Sequence, residues 1–259
     1  MKRLSVIADD FGISEGVNKA IFECAENRVI TGTSVLATGA AFDRLGDLIK
    51  SFPELEIGVH LDLVGGNYLT NLNLKISSVK LAFRVLYDKK LLNKIDIELR
   101  KQTEKILKIT KVSHIDSHRH THFIPQIFKL VNAIADDYTI NRIRIPVSKL
   151  RLRNLKFIFN RKDFYKFAPF YLWKLFNKTN AASNDDFFGL FQAGNLSREY
   201  LNYIKSEDFF YAELMVHPGY VDDTLVKAGD NLLKKRETEL RLLLSFFGNK
   251  CFNLKTALE

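Results

Sequence analysis

The sequence predicts an α/β fold, a distorted (β/α) barrel of the TIM-like kind in a single domain. Three observations carry this. Short apolar segments alternate with helical patterns along most of the 259 residues, as a parallel sheet with crossover helices requires. Chemistry-bearing residues stand at the C-terminal ends of several of those segments, where barrels collect their sites. Neither a GxGxxG motif nor a P-loop follows the first segment, so an open nucleotide-binding sheet lacks its usual mark.

Taken in order, Arg3 to Ala8 reads as a strand running into Asp9-Asp10. Glu15 to Asn27 then has Val17, Ala20, Ile21, Cys24 and Ala25 at helical spacing, the stripe of a buried face. Further strands are expected at Thr33 to Ala37, Glu56 to Leu63 around His60, Val112 to Ser117, Ile140 to Ile145 and Tyr211 to Val216. Ile95, Leu99, Ile106 and Ile109 outline one intervening helix, and Pro125, suited to a first helical turn, opens another. Leu233, Leu240, Leu243, Leu244 and Phe247 mark a late helix, which Gly248-Asn249 stops before a last expected strand at Cys251 to Leu254.

No repeat or Pro/Gly/Ser-rich linker divides the chain, so one domain over 1–259 is expected, elaborated at about 147–196. Composition is ordinary for a globular protein, 46% hydrophobic and 27% charged, which excludes disorder and collagen-like repeats. The N-terminal apolar run is too short for a signal segment or a membrane span, so a cytoplasmic enzyme is expected. Two distant cysteines, Cys24 and Cys251, form no CxxC motif. The net charge of +9 is concentrated in residues 147–180, where nine Lys/Arg face Asp163 alone, interleaved with aromatic residues from Phe157 to Phe176. Such a mixture fits peripheral contact with an anionic inner-membrane face, or a solvated amphipathic helix pair. No nucleic-acid-binding motif accompanies it.

All six histidines fall in three places: His60 in Gly58-Val59-His60-Leu61, four between His114 and His122, and His217 before Pro218-Gly219. Residues 114, 116, 118, 120 and 122 share parity, so an extended chain points them one way. Imidazoles with nearby carboxylates suit a zinc-like ion. His118 and His122 would stand about 13 Å apart on an extended strand, too far to share one ion without a turn. Adjacent Asp9 and Asp10 face opposite sides of a strand, which gives one the cation and the other a proton to accept. Capping of the next helix competes for them, and Ser14 competes for the cap.

The motifs Asp9-Asp10-Phe11-Gly12, Gly58-Val59-His60-Leu61, Asp116 to His122 and His217-Pro218-Gly219 resemble, in order and spacing, those of the YdjC/ChbG-like carbohydrate deacetylases. The resemblance implies a distorted (β/α) barrel and a divalent-metal amidase acting on an N-acetylated sugar of an oligosaccharide, glycolipid or polysaccharide precursor. It also implies one zinc or magnesium ion on Asp10, His60 and His118, with Asp9 as base. On this expectation the cation acidifies water and holds the oxyanion, Asp9 takes the proton, and His217 protonates the departing amine. His120 and His122 are expected at the substrate or behind the ligands, and either can replace His118 if the loop bends. Arg144 is expected to orient Asp9 or to grip a sugar substituent, with a solvated arginine as the alternative. Asp62 and Asp116 are expected to support imidazoles. Two rivals use the same residues differently: a metal-dependent phosphoesterase, and a non-enzymatic binder of anionic membranes.

Overall fold

The computed structural model describes residues 2–74, 76–149, 157 and 181–248. Its centre is a six-stranded sheet in the order β4-β3-β2-β1-β6-β5, parallel at every pairing. The strands are β1 (Arg3–Phe11), β2 (Gly32–Val35), β3 (Glu56–Leu61), β4 (His114–Ser117), β5 (Asp186–Phe188) and β6 (Tyr211–Val216). Helices α1 (Glu15–Glu26), α2 (Leu45–Ser51), α3 (Ser78–Arg84), α4 (Lys89–Leu107), α5 (Pro125–Asp137), α6 (Arg198–Ser206), α7 (Asp223–Lys227) and α8 (Lys234–Phe247) connect them.

The sheet curls. Beyond β4, single parallel bridges join Ile115 to Ile143 and Arg142 to Ala182, and Asp185 donates its N–H to the Tyr211 carbonyl. Hydrogen bonding thus passes from β4 through 141–144 and 182–185 to β6, closing a distorted barrel. The segment expected as a strand at Ile140 to Ile145 contributes only these bridges. β5 was not anticipated; it has three residues, too few for a periodic signal. The basic aromatic stretch lies almost wholly outside the described residues, as does the strand expected at Cys251 to Leu254. Within that stretch Lys149 pairs with Asp185, and the Phe157 ring packs 5.0 Å from Tyr200 and 5.2 Å from Tyr203.

β1 is central, and from Ser5 onward it is buried on both faces, as expected for a parallel strand covered by helices. α1 buries the predicted stripe, Cys24 included. The Ser14 hydroxyl accepts from Val17 N and caps this helix, which frees both aspartates from that role.

Candidate active site

The chemistry gathers at the C-terminal edge of the sheet. A cavity of about 320 Å³ is lined by Asp9, Asp10, His60, His118, His120 and His217, among others. Asp9 and Asp10 both reach it, contrary to strict strand alternation. The reason is local: β1 shifts register against β2 between Ala8 and Phe11, and Asp10 takes a left-handed φ of 72°. A bulge of this kind re-aims a side chain. Gly12, at φ 95°, completes the turn, and its N–H is held by the Asn18 side chain at 2.6 Å.

Asp10 Oδ1 lies 2.9 Å from His118 Nδ1 and 3.3 Å from His60 Nε2. Its other oxygen accepts from the Arg236 guanidinium at 2.6 Å. Arg236 also grips Asp230, through Nε at 2.9 Å and Nη2 at 3.1 Å. Burial works to raise the Asp10 pKa, yet Arg236 and His118 hold it well below the usual carboxylate range. His60 donates from Nδ1 to Asp116 at 2.6 Å, which leaves Nε2 turned toward Asp10. Burial would lower its pKa, but Asp116, Asp9 and hydrogen bonds to Asp10 and Asp116 hold it well above the ordinary histidine value.

Arg144 lies behind the cavity, fully buried. It clasps Asp9 with two nitrogens at 2.7 and 2.8 Å, reaches Asp116 at 2.8 Å and bonds Glu213 through Nε. Burial pushes the Glu213 carboxyl up, against the pull of Arg144 and Arg142.

β4 stops at Ser117, where the chain enters a 3-10 turn, His118–Phe123, containing left-handed Arg119 and His120. The extended parity expected for 114 to 122 therefore holds only through Asp116. His118 stays at the cavity, whereas His122 turns into the core, between the Ser117 hydroxyl at 2.6 Å and the Arg144 carbonyl at 3.1 Å. Burial lowers its pKa to about 4. His122 and Arg144 are thus behind the cavity wall, while His120 lines it. Burial and the neighbouring His122 depress the His120 pKa, and its Nδ1 has no partner among the described residues. Asp62 accepts from the backbone of Val64 and Gly65, not from an imidazole.

Two trios among the described residues offer ligand atoms within 4.8 Å of one another: Asp10, His60 and His118, and Asp9, His60 and Asp116. The first fits a cation better, because Asp9 and Asp116 are engaged by Arg144 and His60 Nδ1 is committed to Asp116. One carboxylate and two imidazoles with an open cavity side is a donor set for zinc or a similar ion.

Sequence reasoning missed Arg236, Asp230, Glu213 and Glu239, which accepts the His217 N–H at 2.6 Å. Arg236 and Glu239 share the helical stripe of Leu240, Leu243 and Phe247, all buried. Charges at apolar spacing were the available signal.

Fold and site define a parallel α/β barrel with a carboxylate–imidazole cluster of metal-ligating chemistry at its strand ends. The chain belongs to the YdjC-like protein family, whose model matches residues 3–246. It is 30% identical over 252 residues to a chitooligosaccharide deacetylase of Escherichia fergusonii, covering 95% of this chain and 92% of that one. It is 28% identical to a carbohydrate deacetylase of Brevibacillus brevis, over 93% and 90% of the two chains. A crystal structure from Enterococcus faecalis V583, described as a candidate cellobiose-phosphate cleavage protein, shares the fold with a TM-score of 0.65. It is 20% identical, over 99% of this chain and 98% of that one. No described helix is long and apolar enough to cross a membrane.

Proposed function

We propose that the protein is a metal-dependent carbohydrate N-deacetylase that removes the acetyl group from an N-acetylated amino sugar. The observation that carries the reading is Asp10 Oδ1 standing between His118 Nδ1 and His60 Nε2 on a cavity that Asp9 and His217 also line. The relatives named as chitooligosaccharide and carbohydrate deacetylases support the substrate class.

In this reading Asp10, His60 and His118 hold one divalent ion, zinc or magnesium. When bound, such an ion supplies Lewis acidity toward the acetamide carbonyl and toward water. Asp9, kept in one orientation by Arg144, accepts the proton of the attacking water. Asp116 fixes the His60 ring so that Nε2 faces the cavity. Water adds its oxygen to the carbonyl carbon, the C–N bond breaks, and His217 protonates the departing nitrogen to release acetate and a free amine. His120 has the cavity position for a substrate contact. For His122 and Arg144 the proposed role is support of the reacting groups.

The test is acetate release from a panel of N-acetylhexosamine glycans, after chelation and reloading with zinc or magnesium. Asp10→Ala and His60→Ala should lose bound metal by elemental analysis, whereas Asp9→Asn should keep the metal and lose turnover. Full activity in Asp9→Asn overturns the base assignment. Phosphate release from generic esters, with no acetate released from any glycan, favours the phosphoesterase instead.

A further inference from the structure

Two segments that line the cavity are tied to α8 by one side chain. Glu239 lies one helical turn beyond Arg236, is 3% exposed, and takes a backbone N–H on each carboxylate oxygen. Oε1 accepts from His217 N at 2.6 Å, and Oε2 from Gly194 N at 3.1 Å. His217 opens the loop that leaves β6. Gly194 follows Leu190 and Ala193, which also line the cavity. A carboxylate this deep is costly unless its charge is compensated. Burial pushes the Glu239 carboxyl up, and the nearby His217 charge is the largest influence against that rise. The buried His217 Nδ1 has no hydrogen-bond partner among the described residues, so among the described hydrogen bonds the one that anchors this residue is its backbone N–H on Glu239.

We propose that Glu239 is a positioning residue that sets His217 against the leaving nitrogen. The proposal rests on the deacetylase reading and deepens it. In the step concerned, the C–N bond breaks, its electron pair stays on nitrogen, and a proton passes from the His217 imidazolium to that nitrogen. Glu239 exchanges no proton and touches no substrate. It keeps the imidazole within reach and leaves a negative charge beside it.

The role is read by leaving group. An acetamide needs a proton on its nitrogen as it departs, whereas the phenolate of 4-nitrophenyl acetate leaves without one. In the metal-loaded full-length protein, His217→Ala should lose about 100-fold or more in kcat on an N-acetylated glycan, the scale of general-acid catalysis, and little on the aryl ester. Glu239→Gln should follow the same pattern more weakly, about 10-fold in kcat on the glycan with KM unchanged and the ester rate within about twofold. A carboxamide oxygen can accept one N–H, but its NH₂ then faces the other donor. Should that variant fail to fold, Glu239→Asp keeps the charge, shortens its reach by one methylene, and carries the same expected pattern. Equal losses on both substrates, or no loss on either, overturn the positioning role. If His217→Ala itself does not distinguish the substrates, the acid assignment falls instead; if it does and Glu239→Gln does not, only the present proposal fails.

Discussion

Arg144 bears the heaviest electrostatic duty of any side chain at the site, since Asp9, Asp116 and Glu213 all depend on it. Replacing it by Met removes the guanidinium that both Asp9 oxygens hold, and leaves Asp116 with His60 and Glu213 with Arg142 as the remaining positive groups nearby. Breaking a buried pair in this one-sided way costs about 3–5 kcal/mol, so Arg144→Met should lower the chemical-denaturation free energy by that order. Arg144→Lys restores one charge but not the two-pronged grip on Asp9. Its expected signature is a fall in kcat of about tenfold or more with metal content unchanged, measured by kinetics beside elemental analysis. From residue order Arg144 was legible as a residue at a strand end that could orient Asp9, grip a sugar substituent or lie in solvent; its full burial and its pairs with Asp116 and Glu213 were not. Glu213 sits inside an apolar strand pattern, where only its burial against Arg144 explains it.

Strands and helices explain why particular motif positions are small or polar. A Cβ on Gly58 would lie 2.2 Å from His114 Nε2. That imidazole cannot move away easily, being fixed by Ser34 at 3.0 Å, Ser113 at 2.8 Å and Arg142 at 3.2 Å. Gly58→Ala should therefore destabilise the protein by roughly 1–3 kcal/mol, as overpacking does, and should weaken metal retention through β3, which carries His60 two residues on. Thermal unfolding and metal titration check the two effects. The major strands and helices were legible because apolar spacing is strong in β1, α1, α5 and β6. Departures came where geometry overrides pattern: the bulge at Asp10, the left-handed turn at Arg119 and His120, and α8, whose Arg236 and Glu239 resemble a solvated face until their spacing with Leu240 and Leu243 is noticed.

Across the molecule, the buried polar groups impose a pH dependence. His122 has its pKa lowered from 6.5 to about 4 by burial. Its neutral form is favoured by folding, so its contribution is complete above pH 6.5 and is lost as pH falls from 6.5 toward 4. The shift corresponds to on the order of 3 kcal/mol. Asp10 and Asp116, whose pKa values are lowered, add a further loss as pH falls below 3.8, the ordinary value for an aspartate. His60, Glu213 and Glu239, whose pKa values are raised, act in the opposite direction, so the His122 share is read as a difference: between pH 7 and 4 the melting temperature of the wild type should fall relative to that of His122→Gln. The ring of strands is also uneven. β1 and β6 are paired through six consecutive positions, while the closure beside β4 relies on the single bridges Ile115–Ile143 and Arg142–Ala182. A hoop fastened at one weak clasp yields there first. Amides at 142–144 and 182 should exchange with deuterium sooner than those of β1, and any such breathing would pass directly to Arg144 and hence to the carboxylate it steers.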